Sequence, residues 1–360
     1  MTGVGIIGPS NWAAVSHIPA IAASPDFDLR AVSTSRRASA DAAALKYGVP
    51  GFADHRDLIA RPDVDLVVVA VPVTGHFDLI TDALRAGKMV YSEWPLTTGL
   101  AEAGKLAALA RETGLRTVAG LQGRYAPEVR HARDLIRAGY LGDVLGTTLV
   151  GSGMVWGGEV ATHRQAYWFD RAAGANTLTS AALHALDPLH TVLGEFTTVA
   201  ANLVVGRTET TVAEDGRTIP VTAPDQVAII GTLDSGAAAS VYYRGGTSRG
   251  DNFRWEINGT DGDLVLTADW GNMQVAPLTL AGGRGSDTAV RPIEVPGGGA
   301  RTPADGVARL YAALARDLAD DTRTVPDFEL ALRRHRLIDA VERASATGVA
   351  QTAALGQGAA

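Results

Sequence analysis

Val4-Gly5-Ile6-Ile7-Gly8-Pro9-Ser10-Asn11-Trp12-Ala13 carries a short apolar run into a glycine, then a polar turn, then a small residue. A dinucleotide-binding turn needs one glycine to bend sharply, a second so that backbone can approach a pyrophosphate, and a small third residue where helix packs on strand. Gly8 and Ala13 fill the first and third places, while Ser10 stands where the second glycine belongs. Ser10 or Asn11 is placed to cap the helix that follows, with Trp12 beside them and the free N–H groups facing an anion. The other reading is a tight strand-to-helix turn without a ligand.

The next 110 or so residues repeat the alternation. Apolar runs at Leu29–Ser33, Leu66–Val71, Met89–Ser92 and Arg116–Ala119 are separated by helical spacing over Ser39–Tyr47, Gly75–Ala86 and Leu100–Thr113. That order predicts a parallel sheet with crossover helices over residues 1–122. Beyond Gln122 the texture changes to a helix at Pro127–Ala138 and many strand-like runs: Leu145–Val155, Thr198–Val205, Gln226–Thr232, Ala237–Tyr243, Phe253–Asn258 and Leu264–Leu266. Glycine-containing turns join several of them, which predicts a mainly antiparallel sheet in a second domain, residues 123–360. Two closing helices, about 303–346, are expected to cover that sheet. Ala281–Arg301 is glycine-rich and reads as a loop, and the Ala/Gly tail after Gly348 is expected to fray.

The end of the second strand refines the ligand. It reads Ser33-Thr34-Ser35-Arg36-Arg37, with no carboxylate to hold a ribose 2′-hydroxyl. Small hydroxyls followed by arginine suit a 2′-phosphate, so NADP is favoured and NAD is the alternative. Two solvated arginines opening a helix would leave the same trace.

Composition excludes other classes. With 46% hydrophobic and 20% charged residues among 360, the chain is an ordinary globular protein. A net charge of −7 offers no basic footprint for nucleic acid or an anionic membrane. The longest strongly apolar run, Leu66–Val73, is far shorter than a bilayer span. No basic segment precedes the first apolar run, so a signal peptide is not expected and a cytoplasmic location is. Zero cysteines exclude disulfides and thiolate chemistry. Of 32 basic residues only Lys46, Lys88 and Lys105 are lysine. Arginine cannot replace a lysine that must give or take a proton.

Four segments in order, GIIGPSNWA, VPVTGH (Val71–His76), AGKMVYSEWP (Ala86–Pro95) and LHALDPLHTVLG (Leu183–Gly194), resemble the glucose-fructose oxidoreductase and inositol dehydrogenase family, Gfo/Idh/MocA. The resemblance implies an α/β fold: an N-terminal Rossmann domain, then an α/β domain with a large, mainly antiparallel open sheet. It also implies a nicotinamide cofactor and oxidation or reduction of a CH–OH carbon on a sugar, cyclitol or related small molecule. By position, Val71, Pro72 and His76 would lie along the cofactor, with Glu93 and Trp94 toward its nicotinamide end and Gln122 completing the set. The family follows that glutamate with lysine, its usual proton-transfer residue, but here Trp94 follows Glu93. The family's acid four residues before the histidine of the second domain is Ser180 here. SNWAAVSHIPAI, YSEWPL and GLQGRYAPE further resemble the branch of the yeast galactose regulatory repressor and its bacterial homologues. A catalytically silent nucleotide-binding regulator or sensor is therefore the alternative to an enzyme.

With no lysine to spare, His184 is the expected acid or base, with Tyr125 and Tyr167 as helpers; the alternative for His184 is a hydrogen-bonded core histidine. Trp94, Arg124, Ser180 and Asp187 are the expected substrate contacts. The alternatives are that Trp94 plugs the space of the missing lysine and that Arg124 serves an ion pair. Pro188 threatens the helix that would put His184 and Asp187 on one face. His184, Asp187 and His190 make a proline-interrupted array with no open coordination, so no metal is expected. His17 reads as structural. Expected partners are a carbohydrate or polyol substrate and a second copy of the chain, in a homodimer or homotetramer.

Overall fold

The computed structural model describes residues 1–353; the tail residues 354–360, expected to fray, lie outside them. By internal packing the chain forms two compact units, Met1–Gln122 with Thr302–Leu332, and Gly123–Arg301 with the chain from Arg333 onward.

In the first unit, β1 (Thr2–Ile7), β2 (Phe27–Ser33), β3 (Gly51–Phe52), β4 (Leu66–Val69), β5 (Met89–Ser92) and β6 (Thr117–Ala119) form one sheet. Every pairing is parallel and the order is β3-β2-β1-β4-β5-β6. That order reverses between β1 and β4, and the crevice at such a reversal is where doubly wound sheets take ligands. Both faces are covered, so β4 reads Leu-Val-Val-Val with all four side chains buried. The connections carry α1 (Trp12–Val15), α2 (His17–Ala22), α3 (Arg37–Tyr47), α4 (His55–Ile59), α5 (His76–Arg85) and α6 (Leu100–Thr113).

The second unit opens with α7 (Pro127–Arg137). Its main sheet holds nine strands in the order β17-β16-β15-β14-β7-β13-β12-β9-β18, antiparallel except where β7 (Val144–Gly153) lies parallel to β13 (Ala238–Gly245). A separate three-stranded sheet joins β8 (Glu159–Val160), β10 (Glu209–Val212) and β11 (Thr218–Pro220), over a small core of Val160, Phe169, Val212 and Val221. The remaining main-sheet strands are β9 (Phe196–Val204), β12 (Gln226–Leu233), β14 (Phe253–Gly259), β15 (Gly262–Ala268), β16 (Thr279–Arg284), β17 (Arg291–Pro292) and β18 (Gln351–Thr352). Along β13 exposed and buried residues alternate, which leaves one face of the sheet uncovered within the chain. The buried face is anchored by Trp255, whose Nε1 donates to Thr147 Oγ1 at 2.8 Å. Helix α8 (Leu183–Leu193) also belongs to this unit, followed in the chain by α9 (Pro303–Asp320) and α10 (Phe328–Thr347).

Four expectations are corrected. Ala281–Arg301 is not all loop: Gly282 and Gly283 sit inside β16, paired with β15, because glycine tolerates the close approach of both neighbouring strands. The tail after Gly348 first adds β18 to the edge of the sheet against β9. Helix α8 runs through Pro188; its preceding residues form one π-helical stretch, Thr177–Ala182, in which Asn176 caps the N–H groups of Leu178 and Thr179. The closing helices do not both serve the second unit. Helix α9 and the first residues of α10 return to the first, with α9 packed on α2. That return is locked by Asp317, whose carboxylate accepts from the Thr322 and Thr324 hydroxyls and from the N–H groups of Thr324 and Val325. Among the described residues no helix is long and apolar enough to cross a membrane.

Burial sets the acid limit of this fold. His335 on α10 is pushed down to about 4 by its burial, and burial also lowers His76 and His190. Unfolded histidine takes its proton near pH 6.5, so between about pH 6.5 and 4 the unfolded chain binds protons that the folded chain refuses, and stability falls with pH. His335 alone contributes about 3 kcal/mol at most across that window. The lowered carboxyls of Asp187 and Asp317 lose their contribution only at still lower pH. The variant His335→Gln is expected to lose less stability than the parent between pH 7.5 and 4.5, read from urea midpoints; equal losses would refute the assignment.

Candidate functional site

Five loops leave the C-terminal ends of the parallel strands. Gly8 follows β1, Thr34 follows β2, Val71 follows β4, Glu93 follows β5, and Gln122 lies just beyond β6, so the sheet alone gathers residues far apart in sequence along one edge.

Gly8 has φ 88, a left-handed conformation natural to glycine, and a Cβ there would lie 2.7 Å from the Ala70 carbonyl oxygen. The turn therefore brings backbone against backbone, as a phosphate-binding loop requires. Asn11 follows at φ 47 and ψ −112 and makes no side-chain cap, as does no other residue at this end of the four-residue α1. The capping expected of Ser10 or Asn11 is thus replaced by a reversed backbone, far from the extended geometry of a capping residue. Two buried polar atoms along this edge, Trp12 Nε1 and Gln122 Oε1, lack a hydrogen-bond partner among the described residues. The tight glycine turn after β1 and the unsatisfied polar atoms on the same strand-end edge, one near that turn and one beyond β6, fit a dinucleotide laid along the edge, with hydrogen-bonding capacity left for it.

At the end of β2, the Thr34 hydroxyl is turned inward, donating to the Arg36 carbonyl at 3.0 Å and lying 2.7 Å from Ser39 Oγ. Ser35 and Arg36 are exposed. Arg37 is committed to Asp41, whereas the Arg36 side chain has no partner among the described residues. His76, expected along the cofactor, is an internal clamp. Its Nε2 lies 2.9 Å from the Val71 carbonyl and its Nδ1 3.0 Å from that of Pro95, so one ring ties the β4 loop to the β5 loop. Val71 and Pro72 are held in place by this tie. Burial lowers the pKa of His76, keeping the ring neutral, so that it donates to one carbonyl at a time.

Glu93 is the most constrained residue of the edge. Its Oε1 lies 2.7 Å from His17 Nε2, and His17 Nδ1 lies 3.0 Å from the hydroxyl of Tyr311 on α9. A Cβ on residue 120 would come within 3.1 Å of the Glu93 backbone and carboxylate, so Gly120 leaves the space in which that side chain sits. His17 reads as structural in sequence, and no local pattern marks Tyr311, 294 positions away. Trp94 is 6% exposed, so most of its indole is buried behind the loop. Lys88 stands at the opposite end of β5, donating to the carbonyls of Arg61 and Val64 at 2.9 and 2.7 Å. Lys46 and Lys105 lie on α3 and α6, over the rings of Tyr47 and Phe77.

In the second unit, Arg124 and Asp187, both expected against substrate, bind one another. Arg124 Nε and Nη2 donate to the two carboxylate oxygens at 2.9 and 2.5 Å. Arg334 adds Nε to Asp187 at 2.9 Å and Nη1 to Glu195 at 2.8 and 2.9 Å, while His190 Nδ1 approaches Glu195 to 2.7 Å. Burial alone would raise the Asp187 carboxyl, but the guanidiniums of Arg124 and Arg334 outweigh it and hold it below its ordinary value. Burial likewise works against charge on Glu195, and His190 and Arg334 overcome it. Asp187 and His190 are thereby occupied, and this array is a charge network of the unit's interior. Sequence reasoning finds Arg124 and Asp187 but misses Arg334 and Glu195, which neither motif nor spacing marks.

His184 lies one turn before Asp187 on α8 and is 8% exposed. Ser180 is half-buried within the π-helical stretch, its N–H donating to the Asn176 carbonyl at 2.8 Å. Tyr125 ends the short 3₁₀ turn Gln122–Tyr125 and is half-buried. Tyr167 lies in another, His163–Phe169, and burial raises its pKa, making it a weaker acid.

Residues 2–121 match the oxidoreductase family with NAD-binding Rossmann fold, and residues 127–268 match the C-terminal domain of Gal80p. The dehydrogenase aclE of Aspergillus oryzae is 30% identical, the match covering 96% of each chain. The chain belongs to the Gfo/Idh/MocA oxidoreductase family. Within that family it is also similar to the galactose/lactose metabolism regulatory protein GAL80 of Saccharomyces cerevisiae, at 26% identity over 79% of this chain and 70% of that protein. A crystal structure of a super-repressor mutant of Gal80p aligns with TM-score 0.89 at 24% identity, over 98% of this chain and 97% of that one. Levoglucosan dehydrogenase in complex with NADH and L-sorbose aligns with TM-score 0.84 at 22% identity, over 98% and 99%. These likenesses agree with the Rossmann sheet and the large, mostly antiparallel sheet described above. A Gfo/Idh/MocA member with Trp94 after Glu93 has no lysine at the sheet edge, since all three of its lysines are placed elsewhere.

The arginine network predicts a large stability effect. Arg334→Met keeps the volume of the buried stem but strips Asp187 and Glu195 of a shared cation, and is expected to lower unfolding free energy by about 3 kcal/mol. Urea denaturation measures it; a loss near zero would mean that Arg124 and His190 suffice.

Proposed function

We propose that this protein is an NAD(P)-dependent oxidoreductase acting on a CH–OH group of a sugar, cyclitol or related polyol, with a proton relay that dispenses with lysine. The observation that carries the reading is the strand-end edge of the first unit, with its left-handed Gly8 turn and its unsatisfied Trp12 and Gln122 atoms. Backbone around Gly8, Ser10 and Asn11, with Trp12, would hold the pyrophosphate. Thr34 and Ser35 would shape the ribose end, where Arg36 would meet a 2′-phosphate, which favours NADP over NAD. Val71, Pro72, Glu93, Trp94 and Gln122 would border the nicotinamide half. The cofactor supplies the hydride acceptor or donor. His184 takes the hydroxyl proton as the carbonyl forms and returns it in the reverse direction, the task for which an imidazole is suited near neutral pH. Tyr125 and Tyr167 would orient the hydroxyls of the substrate. Ser180, uncharged where the family has an acid, would contribute a hydrogen bond without taking the proton.

A second reading, a nucleotide-binding regulator without turnover, is supported by Trp94 and Ser180 at the two positions where the family has lysine and acid, and by the similarity to a metabolic regulatory protein. Incubation with NADP or NADPH and a panel of sugars, ketosugars and cyclitols separates the two. An enzyme turns over a panel member at a rate that falls at least a hundredfold in His184→Ala, with nucleotide affinity retained. Tight nucleotide binding with no turnover would favour the regulator. In either case Arg36→Ala is expected to weaken NADP about tenfold and leave NAD unchanged, the loss of one charge-assisted contact of about 1.4 kcal/mol.

The uncovered sheet face carries Ile230 and Tyr242 among small residues such as Ala228, Ala238 and Ser240. We infer that it joins copies of the chain into a dimer or tetramer. Light scattering should give a multiple of 37.4 kDa in the parent and monomer in Ile230→Asp; a monomeric parent would exclude the assembly.

A further inference from the structure

Glu93, His17 and Tyr311 form a line of three side chains inside the first unit, and the chemistry of each fixes the next. A carboxylate has no proton to donate, so the proton in the 2.7 Å contact is held by His17 Nε2. On the other side of the ring, Nδ1 lies 3.0 Å from the Tyr311 hydroxyl, so the imidazole bridges the carboxylate and the phenol. Burial, and then the Glu93 charge, raise the pKa of Tyr311 well above its ordinary value, so the hydroxyl keeps its proton. The rings of Tyr91 and Tyr311 pack edge-on against the imidazole at 4.8 and 5.8 Å between centroids, so its orientation is fixed by packing as well. The groups facing His17 are thus Glu93, Tyr91 and Tyr311, and Glu93 carries the one negative charge among them. Gly120 lies against that carboxylate and leaves it room, and the Glu93 side chain is 13% exposed. Its second oxygen has no hydrogen-bond partner among the described residues.

The position of this line in the sheet gives it a use. In a doubly wound sheet the dinucleotide crosses the strand ends at the switch point, one nucleotide on each half. With the adenosine end at β2 and the pyrophosphate at Gly8, the nicotinamide half falls on the side of β4, β5 and β6, where Glu93 stands. An oxidised nicotinamide ring is a cation and a reduced one is neutral. We propose that His17 and Tyr311 are positioning residues that hold Glu93 as a fixed anion toward the nicotinamide, so that the protein discriminates the oxidised from the reduced cofactor. The inference rests on the dinucleotide reading above but not on turnover, and it serves an enzyme and a redox-reading regulator alike.

The test is equilibrium binding of NADP, NADPH and 2′-phospho-ADP-ribose, which lacks the nicotinamide, to the full chain. In Glu93→Gln the affinity ratio of NADP to NADPH is expected to fall about tenfold, with the fragment unchanged. Tyr311→Phe keeps the ring in the core and removes only the hydroxyl. Its ratio is expected to fall about threefold in the same direction, because His17 Nδ1 loses its hydrogen-bond partner and the imidazole no longer holds the carboxylate in one place. His17→Gln should behave as Tyr311→Phe if it folds, and the tyrosine variant decides if it does not. A ratio unchanged within twofold in Glu93→Gln overturns the proposal. So does a Tyr311→Phe that weakens all three ligands equally, since that is the mark of a structural role alone. A parent that binds none of the three overturns the dinucleotide reading and this inference with it, whereas a parent that binds all three with a ratio indifferent to the variants overturns this inference alone.

Discussion

A wholly parallel sheet has no face to spare for water, and this constraint governs the first unit. Six parallel strands, four of them four residues or fewer and β3 only two, must be covered on both sides by helices. The helices available before residue 122 include two very short ones, α1 and α2, of four and six residues. Helix α9 makes up the deficit, coming back from beyond residue 301 to lie on α2. Once that helix is in place, Tyr311 stands within hydrogen-bonding reach of His17, the Asp317 turn closes behind it, and Glu93 is gripped from within. The conformation of the strand-end edge is thus settled partly by a segment that lies outside it in sequence.

The scarcity of lysine has a structural counterpart in the second unit, which holds none. Where buried carboxylates need cations, the chain provides guanidinium: Arg124 and Arg334 around Asp187, Arg334 on Glu195, and Arg301 on the buried Glu128. A guanidinium keeps its charge when desolvated and distributes it over several donors, so one Arg334 can serve two acids at once. The charge in these networks is permanent, so they hold the interior together without exchanging protons near neutral pH.

The alternation of apolar strands and helical segments in the first 122 residues is legible because each element reports its own burial locally. The turn at Gly8, the missing carboxylate after Ser33 and the substitution at Trp94 are legible for the same reason, being stretches of a few residues with fixed geometry. The three-stranded sheet is not, since β8 is two residues long and its partners are fifty residues away. Pro188 misleads because a proline removes a backbone donor and ordinarily breaks a helix, yet α8 runs on through it to Leu193. His17 looks structural because nothing within its own helix indicates a partner. Its two partners come from the fifth strand and from the far end of the chain, and only the folded topology brings them together.

The interleaving of the two units bears on the order in which this protein can be made. A ribosome releases Met1–Gln122 early, yet the segment that completes their unit, Thr302–Leu332, emerges only after the whole of the second unit's main stretch. During that interval the first half can form its strands but must keep the surface meant for α9 open to water or to a chaperone. The Rossmann unit, begun before the second unit's main stretch, is therefore finished only after it.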